Sequence, residues 1–217
     1  MLCQEVLRCA FAVMQDEEVR IDVTTLDGTP MSADAATEPV GSALRIAEAF
    51  IATTTNDETG IETTLEAHYS PDEGQYVVMT LVSRAIRPDF DRRALRHIAA
   101  QAIVQAAVPH CIAVRMDASD GGEWTTVADL TAGEGRIIPQ WMASAVVKRG
   151  MKDERMEVIE ILYGAAALAD LPPTKAVQVE LDVPHRTASD WIAKARAAGR
   201  LKGMNYTQGR PRRTDDA

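Results

Sequence analysis

No run of about 18 or more apolar residues occurs in the 217-residue chain, so a membrane-spanning helix is not expected. The first fifteen residues lack the basic start of a secretory signal, and the cytoplasm is the expected location. Cysteine is sparse. Cys3, Cys9 and Cys111 form an odd, widely spaced set with neither metal-ligand spacing nor a disulfide framework, and they read as small buried hydrophobes. The four histidines (His68, His97, His110 and His185) are equally scattered. No metal and no cofactor are therefore expected. A Gly-rich phosphate loop and a Gly-x-Ser-x-Gly elbow are both missing. The acidic pairs and triplets at Asp16-Glu17-Glu18, Asp57-Glu58 and Asp72-Glu73 fall in expected turns, with no basic residue arranged for acid–base work. An enzyme is not expected.

What is present is an ordinary soluble composition, 46% apolar and 25% charged, with a net charge of −9. The charge is unevenly spread. Between Pro172 and Ala217 nine lysines and arginines stand against five acids, a net +4, which leaves −13 on the remainder. A basic end on an acidic body is the asymmetry expected when only that end meets phosphate.

Along the chain, Met1–Gln15 is readable as a short helix. Val19, Ile21 and Val23 alternate with polar residues as a half-buried strand does, and Asp27-Gly28-Thr29-Pro30 reads as a turn. Leu44, Ala47 and Ile51 have helical spacing, which predicts a helix over Gly41–Thr54. Ile61–Tyr69 and Gln75–Val82 read as a hairpin joined by Ser70–Gly74. Asp89 or Asp91 can cap a helix continuing to about Ala107, stopped by Pro109, with a strand at Cys111–Met116 and a loop at Asp117–Gly122. Trp141–Arg149 and Met151–Ala169 read as helices separated by Gly150, the expected domain boundary. Arg84, Arg87, Arg92, Arg93, Arg96 and His97 form a local basic cluster, explained by solvation alone or by an additional contact surface.

Pro172-Pro173 breaks the preceding helix, and Thr174 is the expected N-cap of a helix over Lys175–Leu181. Asp182 occupies the turn. Pro184 suits the first turn of a helix from His185 to Ala198, with Gly199 just past its end. At 100° per residue, Ala188, Trp191, Ile192 and Ala195 share one face and Arg186, Ser189, Asp190 and Ala193 lie opposite. The apolar face packs; the polar face points to solvent. This is a helix-turn-helix pattern, in which the outer face of the later helix reads the DNA major groove. His185, Arg186, Ser189 and Asp190 are the candidate base contacts, with Arg186 suited to bidentate pairing with guanine. Asp190 can either accept from cytosine or repel phosphate. Thr174, Lys175, Thr187, Lys194, Arg196 and Arg200 are the candidate phosphate contacts. Trp191 is expected in the core. Further on, Gly209-Arg210-Pro211 with Arg212 and Arg213 is similar to the core of an AT-hook, which lays arginine into a narrow minor groove; a solvated basic tail is the other reading.

Thr174-Lys175-Ala176-Val177, Leu181-x-Val183, Arg186-Thr187-Ala188-Ser189-x-Trp191-Ile192 and Ala195-Arg196-x-x-Gly199-x-Leu201 together resemble the C-terminal helix-turn-helix of small actinobacterial and actinophage DNA-binding proteins. The likeness covers about 30 residues. It departs from the family at Asp182, where glycine is usual in the turn, and at Gln178, where a small residue is usual. The resemblance implies a cytoplasmic, regulatory DNA-binding protein.

The expected fold is α+β: residues 1–150 a mixed domain with a small, mainly antiparallel sheet and helices, for dimerisation or partner contact; 151–203 an all-α helix-turn-helix domain; 204–217 a basic tail. The expected partners are double-stranded DNA and another copy of the chain in a homodimer, with no membrane and no effector identified. The expected function is that of a sequence-specific DNA-binding regulator, repressor-like. Two other classes stay open: a phage packaging subunit of the small-terminase kind, and a DNA-processing enzyme with a cryptic site. Serine recombinases share this domain pairing, but their N-terminal Tyr-Arg-Val-Ser segment is absent here.

Overall fold

The computed structural model describes residues 19–116, 122–149 and 152–206. Within these the chain is mixed α+β, with two four-stranded antiparallel sheets and six α-helices. The first sheet has the order β1-β4-β5-β6, from β1 (Val19–Thr24), β4 (Ala49–Asn56), β5 (Ile61–Ser70) and β6 (Gln75–Ala85). The other has the order β2-β3-β7-β8, from β2 (Glu38–Val40), β3 (Leu44–Ile46), β7 (Ile112–Val114) and β8 (Thr125–Thr126). The sequence predicts a single sheet; the short strands of the β2-β3-β7-β8 sheet carry too few residues to show a period.

The expected strand at Val19–Val23, the turn at Asp27–Pro30 and the β5–β6 hairpin are all present. β5 shows why. Ile61, Thr63, Leu65 and Ala67 are buried, while Glu62, Thr64, Glu66 and His68 alternate with them on the half-buried face. Gly74, at φ +66°, closes the hairpin turn with its N–H on the Ser70 carbonyl at 2.7 Å.

Gly41–Thr54 corrects the expectation of a helix. It forms a turn, then β3, then most of β4. Leu44 and Ile46 in β3, and Phe50, Ala52 and Thr54 in β4, are buried at alternate positions within each strand, a pattern that overlaps the helical spacing of Leu44, Ala47 and Ile51. The β-branched run Thr53-Thr54-Thr55 and pairing to both β1 and β5 decide for strand.

The long helix expected from Asp89 or Asp91 is also corrected. Asp91 accepts from the Arg93 N–H at 2.7 Å in a local turn, and only a 3₁₀ turn follows at Ala94–Arg96. Helix α1 runs from Ala100 to Cys111, so Pro109 lies inside its last turn instead of stopping it. There the missing proline N–H removes a single hydrogen bond near a helix end. α1 packs Ile103, Val104, Ala107, Val108 and Cys111 between the two sheets, and Cys111 is buried as expected.

The remaining helices are α2 (Val127–Glu134), α3 (Gln140–Arg149), α4 (Lys152–Leu168), α5 (Pro173–Leu181) and α6 (His185–Ala197). One buried cluster draws on both sheets, α1 and the C-terminal helices, from Val40 to Met204. Gly150 and the helix expected over Met1–Gln15 lie outside the described residues, as does most of the loop at 117–122. No helix among the described residues is long and apolar enough to cross a membrane.

Candidate nucleic-acid interface

The support for the site is α4. From Val158 to Leu168 it is buried on every side, including Glu160, which is 0% exposed. A carboxylate there requires several donors. The Glu160 carboxylate accepts from the Ser42 N–H, from Ser42 Oγ (2.8 and 2.9 Å) and from the Ala43 N–H at 3.2 Å. Arg200 stands 3.6 Å away as its cation. The approach is close. Gly41 (φ +73°) and Gly164 have no room for a Cβ, which would strike Glu160 and Met204 in the case of Gly41 and Leu44 in the case of Gly164.

Three helix ends shape what is mounted on α4. Each uses a left-handed residue and the same pair of backbone bonds. After α4, Asp170 (φ +54°) lets the Leu171 N–H reach the Ala166 carbonyl at 2.8 Å. After α5, Asp182 (φ +50°, ψ +49°) lets the Val183 N–H reach Gln178 at 3.1 Å. After α6, Gly199 (φ +75°) lets the Arg200 N–H reach Ala195 at 3.1 Å. Asp182 therefore holds the conformation that glycine would hold more cheaply.

The α5–α6 pair buries Ala176, Val177, Leu181, Val183, Ala188, Ile192 and Ala195. Trp191 is half-buried against this core, with the Arg155 guanidinium 4.3 Å from its ring centroid. Another buried carboxylate anchors α5. Glu180 accepts from the Ile137 and Ile138 N–H groups at 3.3 and 3.4 Å, and Arg136 lies 3.8 Å away. Burial pushes its pKa up, against the opposing pull of those N–H groups and Arg136.

Of the expected base contacts, His185, Arg186 and Asp190 are exposed and Ser189 is half-buried. Among the described residues, the side chains of His185 and Arg186 have neither an ion pair nor a hydrogen bond. Asp190 does: its carboxylate meets Lys194 at 2.8 Å, one helical turn on. Two further candidate cations, one on α6 and one just beyond it, are also engaged. Arg196 donates to the Tyr163 hydroxyl at 2.9 Å and lies over that ring, and Arg200 donates to Ser42 Oγ at 2.9 Å beside Glu160.

Thr174 is not the N-cap. That position falls to Pro172, with Pro173 opening the helix, so Thr174 sits in its first turn. There it faces a groove of about 430 Å³ between the start of α5 and the side of α6. The groove brings together Thr174, Lys175, His185, Ser189 and Arg196, five of the ten expected contacts on these helices and just beyond them, with Tyr163 and Tyr206. Arg186, Thr187, Asp190, Lys194 and Arg200 do not line it. Arg210, Arg212 and Arg213 lie outside the described residues.

Tyr163, Tyr206, Glu160 and Glu180 are contributors that the sequence does not reveal. No local signal in the sequence marks any of them as part of the site. Among the described residues, no group of three or more His, Cys, Asp or Glu side chains gathers to hold a metal. The chain matches no family model, no curated protein and no solved structure.

Proposed function

We propose that this protein is a sequence-specific DNA-binding regulator of the repressor-like kind, acting in the cytoplasm. In this reading residues 151–203 are the DNA-binding unit and α5 and α6 are its helix-turn-helix. Residues 1–150 serve dimerisation or partner contact, and 204–217 supply a basic arm. The observation that carries it is the groove at the start of α5. The hydroxyls of Thr174 and Ser189, the His185 imidazole and the cationic Lys175 and Arg196 converge there, beside the exposed Arg186.

The chemistry suits a duplex. The N-terminus of α5 has its dipole's positive end at the groove, a favourable place for a phosphodiester. With the backbone seated there, the first turns of α6 face base edges, and Arg186 is the side chain able to pair with guanine O6 and N7. Ser189 and His185 reach bases or phosphates beside it. Lys194, Arg196 and Thr187 follow along the phosphate track, and Arg210, Arg212 and Arg213 extend it. The net +4 of Pro172–Ala217 against −13 elsewhere orients the acidic body away from DNA.

Selection of bound fragments from the source genome is the test. Enrichment of a common motif by the purified protein is the expected result. Recovery of fragments with no shared motif would remove the sequence-specific role, and no retention of DNA at low salt would remove DNA binding altogether.

A further inference from the structure

Four of the most exposed large apolar side chains among the described residues fall in eight residues: Met79, Leu81, Val82 and Ile86, at 64, 42, 55 and 43% exposure. Met79, Leu81 and Val82 belong to β6 and Ile86 follows it directly. Among the described residues, β6, eleven residues long, stands at the edge of its sheet and is paired on one side only, to β5. Sheet edges of this length are ordinarily guarded by charges, prolines or cover. From Gln75 to Ser83 this one has no charge and no proline, and the two cations that follow are engaged, Arg84 by Glu62 and Arg87 by Asp89 and the Glu58 carbonyl. The one irregularity is the bulge opposite Glu66 and Ala67, which leaves Met79 without a partner residue.

The register shows what an added strand would meet. Leu81 lies opposite the buried Leu65, on the core side of the sheet, whereas Val82 lies opposite Thr64 on the outer side. The exposed apolar groups thus flank the edge on both faces, as they do when a neighbouring strand is expected between them. We infer that the occupant is β6 of a second copy, paired antiparallel about a two-fold axis near Leu81. The two four-stranded sheets then become one of eight strands.

Three features favour a second copy over another partner. The strand is self-complementary: an axis near Leu81 sets Leu81 against itself and Thr80 against Val82, and it keeps the two Arg84 side chains well apart. A two-fold uses the same patch twice, as most homodimers do. The area is also adequate. Four such side chains expose a few hundred Å² of apolar surface per copy. Doubled, and joined by the ladder of two eleven-residue strands, this approaches the roughly 1,200 Å² at which stable dimers begin. This inference goes beyond the DNA-binding reading and stands without it.

Sedimentation of the full chain across a wide concentration range tests the pairing, alongside amide exchange of residues 77–84 and the double variant Met79→Lys with Val82→Lys. Both substituted side chains are solvent-exposed. The expected result is a species of twice the 23.6 kDa chain mass, reduced to monomer in the variant, with β6 amides protected more strongly as concentration rises. A monomer at every concentration would overturn the inference. So would a dimer that survives the substitutions, or β6 amides whose protection does not change while sedimentation shows monomer giving way to dimer. If the variant does not fold, amide exchange of the unaltered protein decides alone.

Discussion

The two halves of α6 use their polar side chains differently. In the first half His185 and Arg186 project from the surface with no partner among the described residues. In the other half, and just beyond it, every candidate cation is engaged: Lys194 by Asp190, Arg196 by Tyr163, Arg200 by Glu160 and Ser42. A side chain that serves the fold has its partner within the molecule, whereas one that serves recognition waits for its partner. The contrast ranks the ten candidates on α5, α6 and the segment after them. Arg186 stands first for reading bases. Arg200 stands last, because moving it to a phosphate would leave the buried Glu160 without its cation.

The largest expected effect tests that lowest rank. Glu160→Ala removes the acceptor shared by Ser42, Ala43 and Arg200, and it should destabilise the protein by about 3–5 kcal/mol, read from denaturant unfolding. A loss within about 1 kcal/mol would mean that Arg200 is not held by the fold and returns to the candidate phosphate contacts.

Arg196→Ala comes next and sharpens the middle rank. It should weaken binding to preferred and random DNA alike, and reduce the slope of log affinity against log salt by about 1. An unchanged slope would assign Arg196 to Tyr163 alone.

Asp182→Gly probes the turn that aims α6. It relieves a left-handed aspartate and should stabilise by about 0.5–1 kcal/mol in the same unfolding measurement. Destabilisation would show that the Asp182 side chain contributes something the backbone does not.

The smallest effect concerns the anchor of α5. Because the folded pKa of Glu180 lies above its ordinary 4.5, the folded state binds more protons than the unfolded state between the two values. Stability therefore falls as pH rises through that window and levels off above it. Relative to Glu180→Gln, the unaltered protein should gain melting temperature as pH drops from neutral toward 4.5. The opposite trend would mean that the Ile137 and Ile138 N–H groups and Arg136 outweigh burial.

The C-terminal helices are legible because each has an apolar stripe at helical spacing with a breaker at its ends: Pro172-Pro173, Pro184 and Gly199. The β5–β6 hairpin is legible from the alternation of β5 and the turn residues Ser70–Gly74, whereas β6, apolar at neighbouring positions, reads as covered on both faces and is instead exposed at Met79, Leu81 and Val82. Gly41–Thr54 is not, since its apolar residues satisfy both periods and pairing to β1 and β5 decides between them. Helix α2 has a readable start that the apolar pattern alone overlooks. Thr126 caps it, accepting from the Asp129 N–H at 3.0 Å, the Thr-x-x-Asp version of a capping box. Within the site, the faces of α6 follow from the sequence alone. The groove at α5 does not, because Tyr163 and Tyr206 reach it from separate turns of the chain. Nor do Glu160 and Glu180, whose donors lie more than forty residues away along the sequence.

Arg186→Ala, measured against the selected site and against random DNA at one salt concentration, tests base reading by α6 most directly. The predicted result is a loss of about 1–3 kcal/mol on the selected site with little change on random DNA. Equal losses on both, or none on either, would contradict it.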